Sequence, residues 1–352
     1  MEELFVKNVI KKPKLMGETK CIMSNISWGF AQIWNQSLEE GKAERVLEPR
    51  NKIWAFEIGG AYVDRFLKMT AVQPSNPFNP RSLRKFEAGN IWETIVGYVL
   101  SRAGILIKKQ EWLSYQYDGL FPVTGKLDFL AGGKPDYEKV FSVINKEFDW
   151  LPEFISRATK KIVQRLQEQY PEGLENIILE IKSCSSFMFE KYEKKDTANP
   201  SHKLQLFHYL KAKNMPEGHI VYISKDDARL LEVGVFNPSP IEEEYKKDIE
   251  YMTDCVSSNQ RPPLEKPIVF DKEWGTFSAN YKVGYSSYLT YLYGLQNQKE
   301  FDDKYKPTVE RWNRVIQRKI DGKEFTDNNK MALDEMKAQG FDLESLWEGL
   351  RE

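Results

Sequence analysis

Ile177-Ile178-Leu179-Glu180-Ile181-Lys182 is the stretch on which the fold turns. A short apolar run rich in β-branched residues reads as a strand. Alternate residues of a strand share a face, so the Glu180 carboxylate and the Lys182 ammonium project side by side while Ile181 turns inward. Upstream, Val123-Thr-Gly-Lys-Leu-Asp128-Phe-Leu130 is a second short strand carrying one acid among apolar neighbours. Downstream, His202-Lys203-Leu-Gln205-Leu-Phe-His208-Tyr209-Leu210 reads as a helix. Gln205 and Tyr209 share one of its faces, and Leu206 and Leu210 pack inward.

An acid on one strand, an acid-x-Lys on the next and a polar helix behind them suit metal-assisted phosphodiester hydrolysis. That chemistry needs an activated water, neutralisation of charge on the phosphate and help for the departing oxygen. Mg²⁺ polarises phosphate and lowers the pKa of bound water. It prefers oxygen ligands and keeps several waters, so two or three carboxylates and a carbonyl suffice. Asp128 and Glu180 fit, and the Ile181 carbonyl adds a further oxygen. Lys182 orients the water or stabilises the transition state, with its pKa expected to fall through partial burial. Gln205 and Tyr209 position a phosphate, a base or the lysine by hydrogen bonding. Each pattern alone is commonplace, since an isolated Glu-x-Lys is usually a solvated strand edge. Their order, separation and apolar setting carry the reading.

The chain has 352 residues, 41% hydrophobic and 29% charged, which predicts a packed core. Its net charge of −1 gives no global basic signature, so positive charge for nucleic acid must be local. Basic residues gather at Arg81, Arg84 and Lys85, at Arg157, Lys160, Lys161 and Arg165, at Lys191, Lys194 and Lys195, and at Lys203, Lys211 and Lys213. Arg81, Arg84, Lys191, Lys194 and Lys203 are the candidates for DNA contact, and such runs are as often solvated faces. Tyr115, Tyr117, Phe187, Phe189 and Tyr192 are candidates for base stacking, with core packing the commoner role. Cys21, Cys184 and Cys255 are widely separated, which argues for a reducing compartment, and no signal peptide or membrane span is evident. A cytoplasmic protein is expected. His202, His208 and His219 form no zinc pattern, and no phosphate-binding glycine loop is present.

Along the chain, residues 1–80 read as an aromatic-rich accessory region. Helical faces are expected at Trp28, Phe30, Ile33 and Trp34 and at Trp54, Ile58, Tyr62 and Phe66. Pro74, Pro77 and Pro80 break regular structure. A helix follows over 81–103, with Gly89, Glu93 and Gly97 in one stripe. Each glycine costs roughly 1 kcal/mol against alanine, so close approach of another element is expected there. Strands are predicted at 104–109, 111–118, 123–131, 176–183, 218–224 and 229–235. Helices are predicted at 153–170 and 202–213, with 136–174 an insertion and 187–199 a loop or mobile arm. The core spans 81–235, and 236–352 reads as mostly helical, interrupted at Arg261-Pro-Pro.

With these residues in place, the chain resembles the PD-(D/E)XK nuclease superfamily, and within it the RecB-like and phage exonuclease branch. Gly89-Asn-Ile-Trp-Glu93 is similar to its helical Gly-x-x-x-His/Glu motif, with Glu93 where many relatives have histidine. Gly125-Lys-Leu-Asp128 is similar to Gly-x-x-Asp, Glu180-Ile-Lys182 to Glu/Asp-x-Lys, and Gln205-Leu-Phe-His-Tyr209 to Gln-x-x-x-Tyr. The four lie in the family's order over roughly 86–235. The resemblance implies an α/β, restriction-endonuclease-like αβββαβ core with a mixed sheet, flanked by helical termini. It implies DNA cleavage with Mg²⁺, or Mn²⁺ in its place, held by Asp128, Glu180 and the Ile181 carbonyl together with Glu93. Lys182, Gln205 and Tyr209 complete the catalytic set. Relatives with an iron–sulfur cluster use one early and three late cysteines. Here Gly284-Tyr-Ser-Ser-Tyr-Leu-Thr-Tyr-Leu-Tyr-Gly294 has none, so no cluster is expected. A cluster-free chain of this kind suits an exonuclease of phage or bacterial DNA recombination, repair or degradation, working with a single-strand annealing or recombination protein. The rival reading is a catalytically silent module that binds DNA or a protein.

Overall fold

The computed structural model describes residues 47–77, 80–147, 153–238, 240–271 and 275–349. Cys21 and the aromatic face at Trp28–Trp34 lie outside the described residues. The chain divides into two units, and the larger contains the described residues 47–77 and those from Gly89 onward. Among the described residues no helix is long and apolar enough to cross a membrane.

The larger unit is built on a six-stranded mixed sheet. After β1 (Ile53–Trp54), α1 (Tyr62–Met69) and α2 (Pro80–Arg102) come β2 (Leu106–Tyr115) and β3 (Val123–Gly133). Helices α3 (Tyr137–Glu147) and α4 (Glu153–Gln169) stand between β3 and β4 (Leu174–Cys184). Then follow α5 (Ser186–Lys195), α6 (Pro200–Lys213), β5 (Glu217–Ser224) and β6 (Leu230–Phe236). Strand β3 runs antiparallel to β2 and β4 and parallel to β1, β4 is parallel to β5, and β5 is antiparallel to β6. The sequence α2-β2-β3-β4-α6-β5 is an αβββαβ core of the restriction-endonuclease-like kind. Two parallel neighbours need a crossover, and α6 is the helix that makes it.

Both faces of β4 are covered. Ile178 joins the main core with Leu204, Leu206 and Leu210 of α6. Ile181 joins Phe129 and Ile223 under Trp92, Val96 and Leu100 of α2. Gly97 allows that approach, because a Cβ there would stand 2.7 Å from the Phe129 ring. Helix α6 starts on an Asn199 cap with Pro200 in its first turn, and closes on Asn214 in the left-handed region.

Three expectations fail. Residues 187–199 are not a loop. Ser185 caps α5, whose Phe189 and Tyr192 sit one turn apart in the core beneath a charged outer face. Strands 104–109 and 111–118 are one strand, carried through Gln110 at φ +53°. Trp54 and Ile58 are not helical, and only 62–69 forms that helix. Beyond α7 (Ile241–Ser257), a hairpin of β7 (Ile268–Asp271) and β8 (Thr276–Ala279) interrupts the helices. Ile268 and Phe277 from that hairpin share a separate C-terminal core with Trp312.

Candidate active site

The site lies where β3 lacks a neighbour. Strand β2 takes one edge of β3 from Val123 to Ala131. The other edge is divided: β4 pairs at Phe129 and beyond, and β1 at Val123 and Thr124. Residues 125–128 are left without a ladder partner on that edge. The register joining Phe129 to Leu179 would, if continued, set Asp128 opposite Glu180. Instead the strands part, and Asp128 Oδ2 accepts a bond from the Ile181 N–H at 2.8 Å. In the same gap the Tyr209 hydroxyl donates to the Lys126 carbonyl at 3.0 Å, satisfying an otherwise orphaned acceptor. Tyr209 also explains the glycine three residues before Asp128. A Cβ on Gly125 would stand 2.8 Å from the Tyr209 ring and 2.5 Å from Ala55.

Glu180 is 1% exposed. Its Oε1 accepts from Lys182 Nζ at 2.6 Å and from Gln205 Nε2 at 2.7 Å. Gln205 Nε2 also reaches the Tyr209 hydroxyl at 3.2 Å. Glu180 Oε2 is buried and, among the described residues, has no hydrogen-bond partner. An unsatisfied buried carboxylate oxygen is costly and calls for a physical account.

Charge is unbalanced here. Burial first, and then the Glu180 charge, push the Asp128 carboxyl well above the usual range, against Lys182 and the Ile181 N–H. Burial also raises Glu180, with Lys182 opposing. Burial alone would lower Lys182, but Glu180, Asp128 and Glu93 outweigh it and hold the ammonium above its ordinary value. The expected lowering of Lys182 is thus reversed, because three acids face one cation. Glu93 accepts a hydrogen bond from the Gln110 amide. Among the described residues, no three His, Cys, Asp or Glu side chains converge to hold a metal ion. Asp128 and Glu180 are the carboxylates at the opening.

The basic candidates are scattered among other contacts. Lys203 donates to Thr197 Oγ1 at 2.9 Å, and Lys191 lies 3.7 Å from the Asp271 carboxylate. Lys194 is exposed on the last turn of α5, Arg84 is half-buried on α2, and the Arg81 side chain lies outside the described residues. Of the proposed stacking residues, Phe189 and Tyr192 are core, Tyr117 donates to Glu242, and Phe187 is 76% exposed.

Two features went unread in the sequence. Gln110 stands in β2 between Lys109, paired with Phe129, and Glu111, paired with Leu127, and there it holds Glu93. Trp112, 60% exposed, stands beside Trp54. An aromatic residue alternating with Gln110, Ser114 and Gln116 on the polar side of a strand was the available signal for the second.

No family model and no curated protein matches the chain. Among solved structures it is similar to SSO0001, at 15% identity over 66% of this chain and 87% of that one, TM-score 0.39. It is also similar to the alkaline exonuclease LHK-Exo from Laribacter hongkongensis, at 8% identity over 65% and 94%, TM-score 0.33. The same enzyme in complex with dAMP gives 10% identity over 60% and 90%, TM-score 0.38. Likenesses this loose carry nothing about the site.

Proposed function

We propose that this chain is a metal-dependent DNA nuclease that hydrolyses phosphodiester bonds at the opening between β3 and β4. The observation that carries this is Glu180, buried and held at Oε1 by Lys182 and Gln205 while Oε2 faces no protein donor. The donor set is hard oxygen, which suits Mg²⁺ and Mn²⁺. Asp128 and Glu180 would hold the ion together with the Ile181 carbonyl. In an extended residue the C=O faces the same strand edge as the N–H, and the Ile181 N–H already faces Asp128. A bound ion would polarise the phosphate and lower the pKa of a water.

The chain's own groups do the rest. Lys182, kept charged by its acidic neighbours, stabilises negative charge on the phosphate and orients the attacking water. Gln205 fixes the Glu180 rotamer, and Tyr209 fixes the β3 carbonyl beside it, so both are positioning residues. A catalytically silent module would have no use for an unpartnered oxygen kept at this cost. The four ordered motifs favour an exonuclease of phage or bacterial DNA recombination, repair or degradation, acting in the cytoplasm beside a single-strand annealing protein.

The test uses linear and circular DNA with Mg²⁺, Mn²⁺ or EDTA, and the variants Asp128→Ala and Lys182→Ala. Cleavage of linear DNA that needs the ion and both side chains is expected. Cleavage that survives EDTA, or that both variants retain, would overturn the reading. Circular DNA cut as fast as linear would make the enzyme an endonuclease.

A further inference from the structure

Strands β1, β3 and β2 leave an aromatic surface open beside Asp128. Trp112 pairs in register with Lys126, whose ammonium lies 5.8 Å from the Trp112 ring centre. Trp54 pairs with Thr124, and its ring centre is 5.7 Å from that of Trp112 at a 49° tilt. Lys52 Nζ stands 4.6 Å from the Trp54 ring centre. Directly paired residues share a sheet face, as do alternate residues of one strand. Burial along β3 agrees: Val123, Gly125 and Leu127 are buried, whereas Thr124 is half-buried and Lys126 exposed. At a strand rise of about 3.4 Å per residue, the Lys126 position is about 7 Å from that of Asp128.

This surface is unlike ordinary exposed apolar residues, which are scattered singly. Two indoles stand together, tilted so that they do not cover each other, and two ammonium groups flank them without a carboxylate partner among the described residues. Aromatic faces with adjacent cations are what a single-stranded polynucleotide requires, because unpaired bases stack and their phosphates need neutralising. Bases inside a duplex already have both faces covered.

We propose that Trp54 and Trp112 form a stacking platform for unpaired nucleobases, with Lys52 and Lys126 meeting the phosphates, so that the chain engages single-stranded DNA next to Asp128. The link to cleavage rests on the nuclease reading above. The binding itself does not.

The test measures binding of the full chain to a labelled oligothymidylate and to a blunt duplex, by fluorescence anisotropy in EDTA so that nothing is cut. Trp112→Ala should weaken single-strand binding on the order of ten-fold and leave duplex binding unchanged. Trp112→Phe should keep most of the affinity, and Lys126→Ala should flatten its salt dependence. The platform is overturned if wild type prefers the duplex, or if Trp112→Ala binds the single strand as wild type does. It is equally overturned if both substrates are lost together, or if Phe fails as badly as Ala. Loss of cleavage in Asp128→Ala reports on the nuclease reading alone, so the two failures stay distinct.

Discussion

Two sets of buried charge in this molecule are built on opposite principles. Arg65 of α1 and Asp248 of α7 meet through Nη1–Oδ1 at 2.8 Å and Nη2–Oδ2 at 2.7 Å, with side chains 2% and 4% exposed. The Gly59 N–H adds a bond to Oδ1 at 3.3 Å. One cation faces one anion, and the pair fastens two helices. At the site, Asp128 and Glu180 share Lys182, and the charge of Glu93 is felt as well. Negative charge is in excess there, and one Glu180 oxygen has no hydrogen-bond partner among the described residues. The Arg65–Asp248 pair is balanced in charge within the fold, although Arg65 Nε and Nη2 and Asp248 Oδ2 make no hydrogen bond among the described residues. The unbalanced set is left with surplus buried negative charge, which costs stability and which the proposed ion would offset.

The largest effect should fall on activity. Asp128→Ala and Lys182→Ala should each cut DNA hydrolysis by roughly 10³-fold, about 4 kcal/mol in the barrier. Asp128→Ala should melt close to wild type, whereas Lys182→Ala, which strands the buried Glu180, should melt lower. Arg65→Ala should do the reverse. It strands Asp248 in the interior, costing about 3–5 kcal/mol in urea unfolding, while the folded fraction still cuts DNA. An Arg65→Ala variant as stable as wild type would erase the contrast between the two sets.

A third outcome concerns the sign of the site's own contribution. The folded-state pKa values of Asp128 and Glu180 are raised, so the folded protein binds more protons than the unfolded chain. Their ionisation therefore destabilises the fold at neutral pH, and the cost is relieved as pH falls through the raised folded values. Without metal, Asp128→Asn should be at least as stable as wild type, and wild type should gain on it under mild acid. Mg²⁺ at 100 times its Kd should add about 2.7 kcal/mol to wild type, read as a rise in Tm, and much less to Glu180→Gln. Equal gains in both would remove Glu180 from the ion.

The sequence made Asp128, Glu180, Lys182, Gln205 and Tyr209 legible because each sits at a strand or helix period. The structure brings Gln205 to Glu180 and Tyr209 to the strand of Asp128. What stayed hidden depends on pairing between distant segments. Gln110 acquires its place from the β2–β3 register and a left-handed backbone, neither of which its neighbours announce. Trp54 meets Trp112 only because β1 and β2 flank the same end of β3. The sequence predicts a lowered pKa for Lys182, since the count of acids around it is a tertiary fact. Helix α5 was masked by lysines and glutamates around a two-residue apolar stripe.

The smallest effect sharpens the comparison most, because it separates imbalance from burial. His219 lies between Glu217, 2.8 Å from Nε2, and Glu232 at Nδ1, again two acids to one cation. The Glu232 contact chiefly raises its pKa, with burial opposing and Glu217 adding. A raised histidine pKa stabilises the fold fully below the unfolded value of about 6.5, and that stability is lost as pH rises through the folded value. Both glutamates are exposed, at 44% and 57%, so solvent screens the cluster and its worth should be well under 1 kcal/mol. His219→Gln should flatten the stability profile slightly above that pH and leave the response to Mg²⁺ untouched. Here both acids are exposed to solvent, whereas Glu180 is buried. If His219→Gln moved the profile as far as Asp128→Asn does, imbalance alone would account for the site's behaviour, and burial of Glu180 would lose its role.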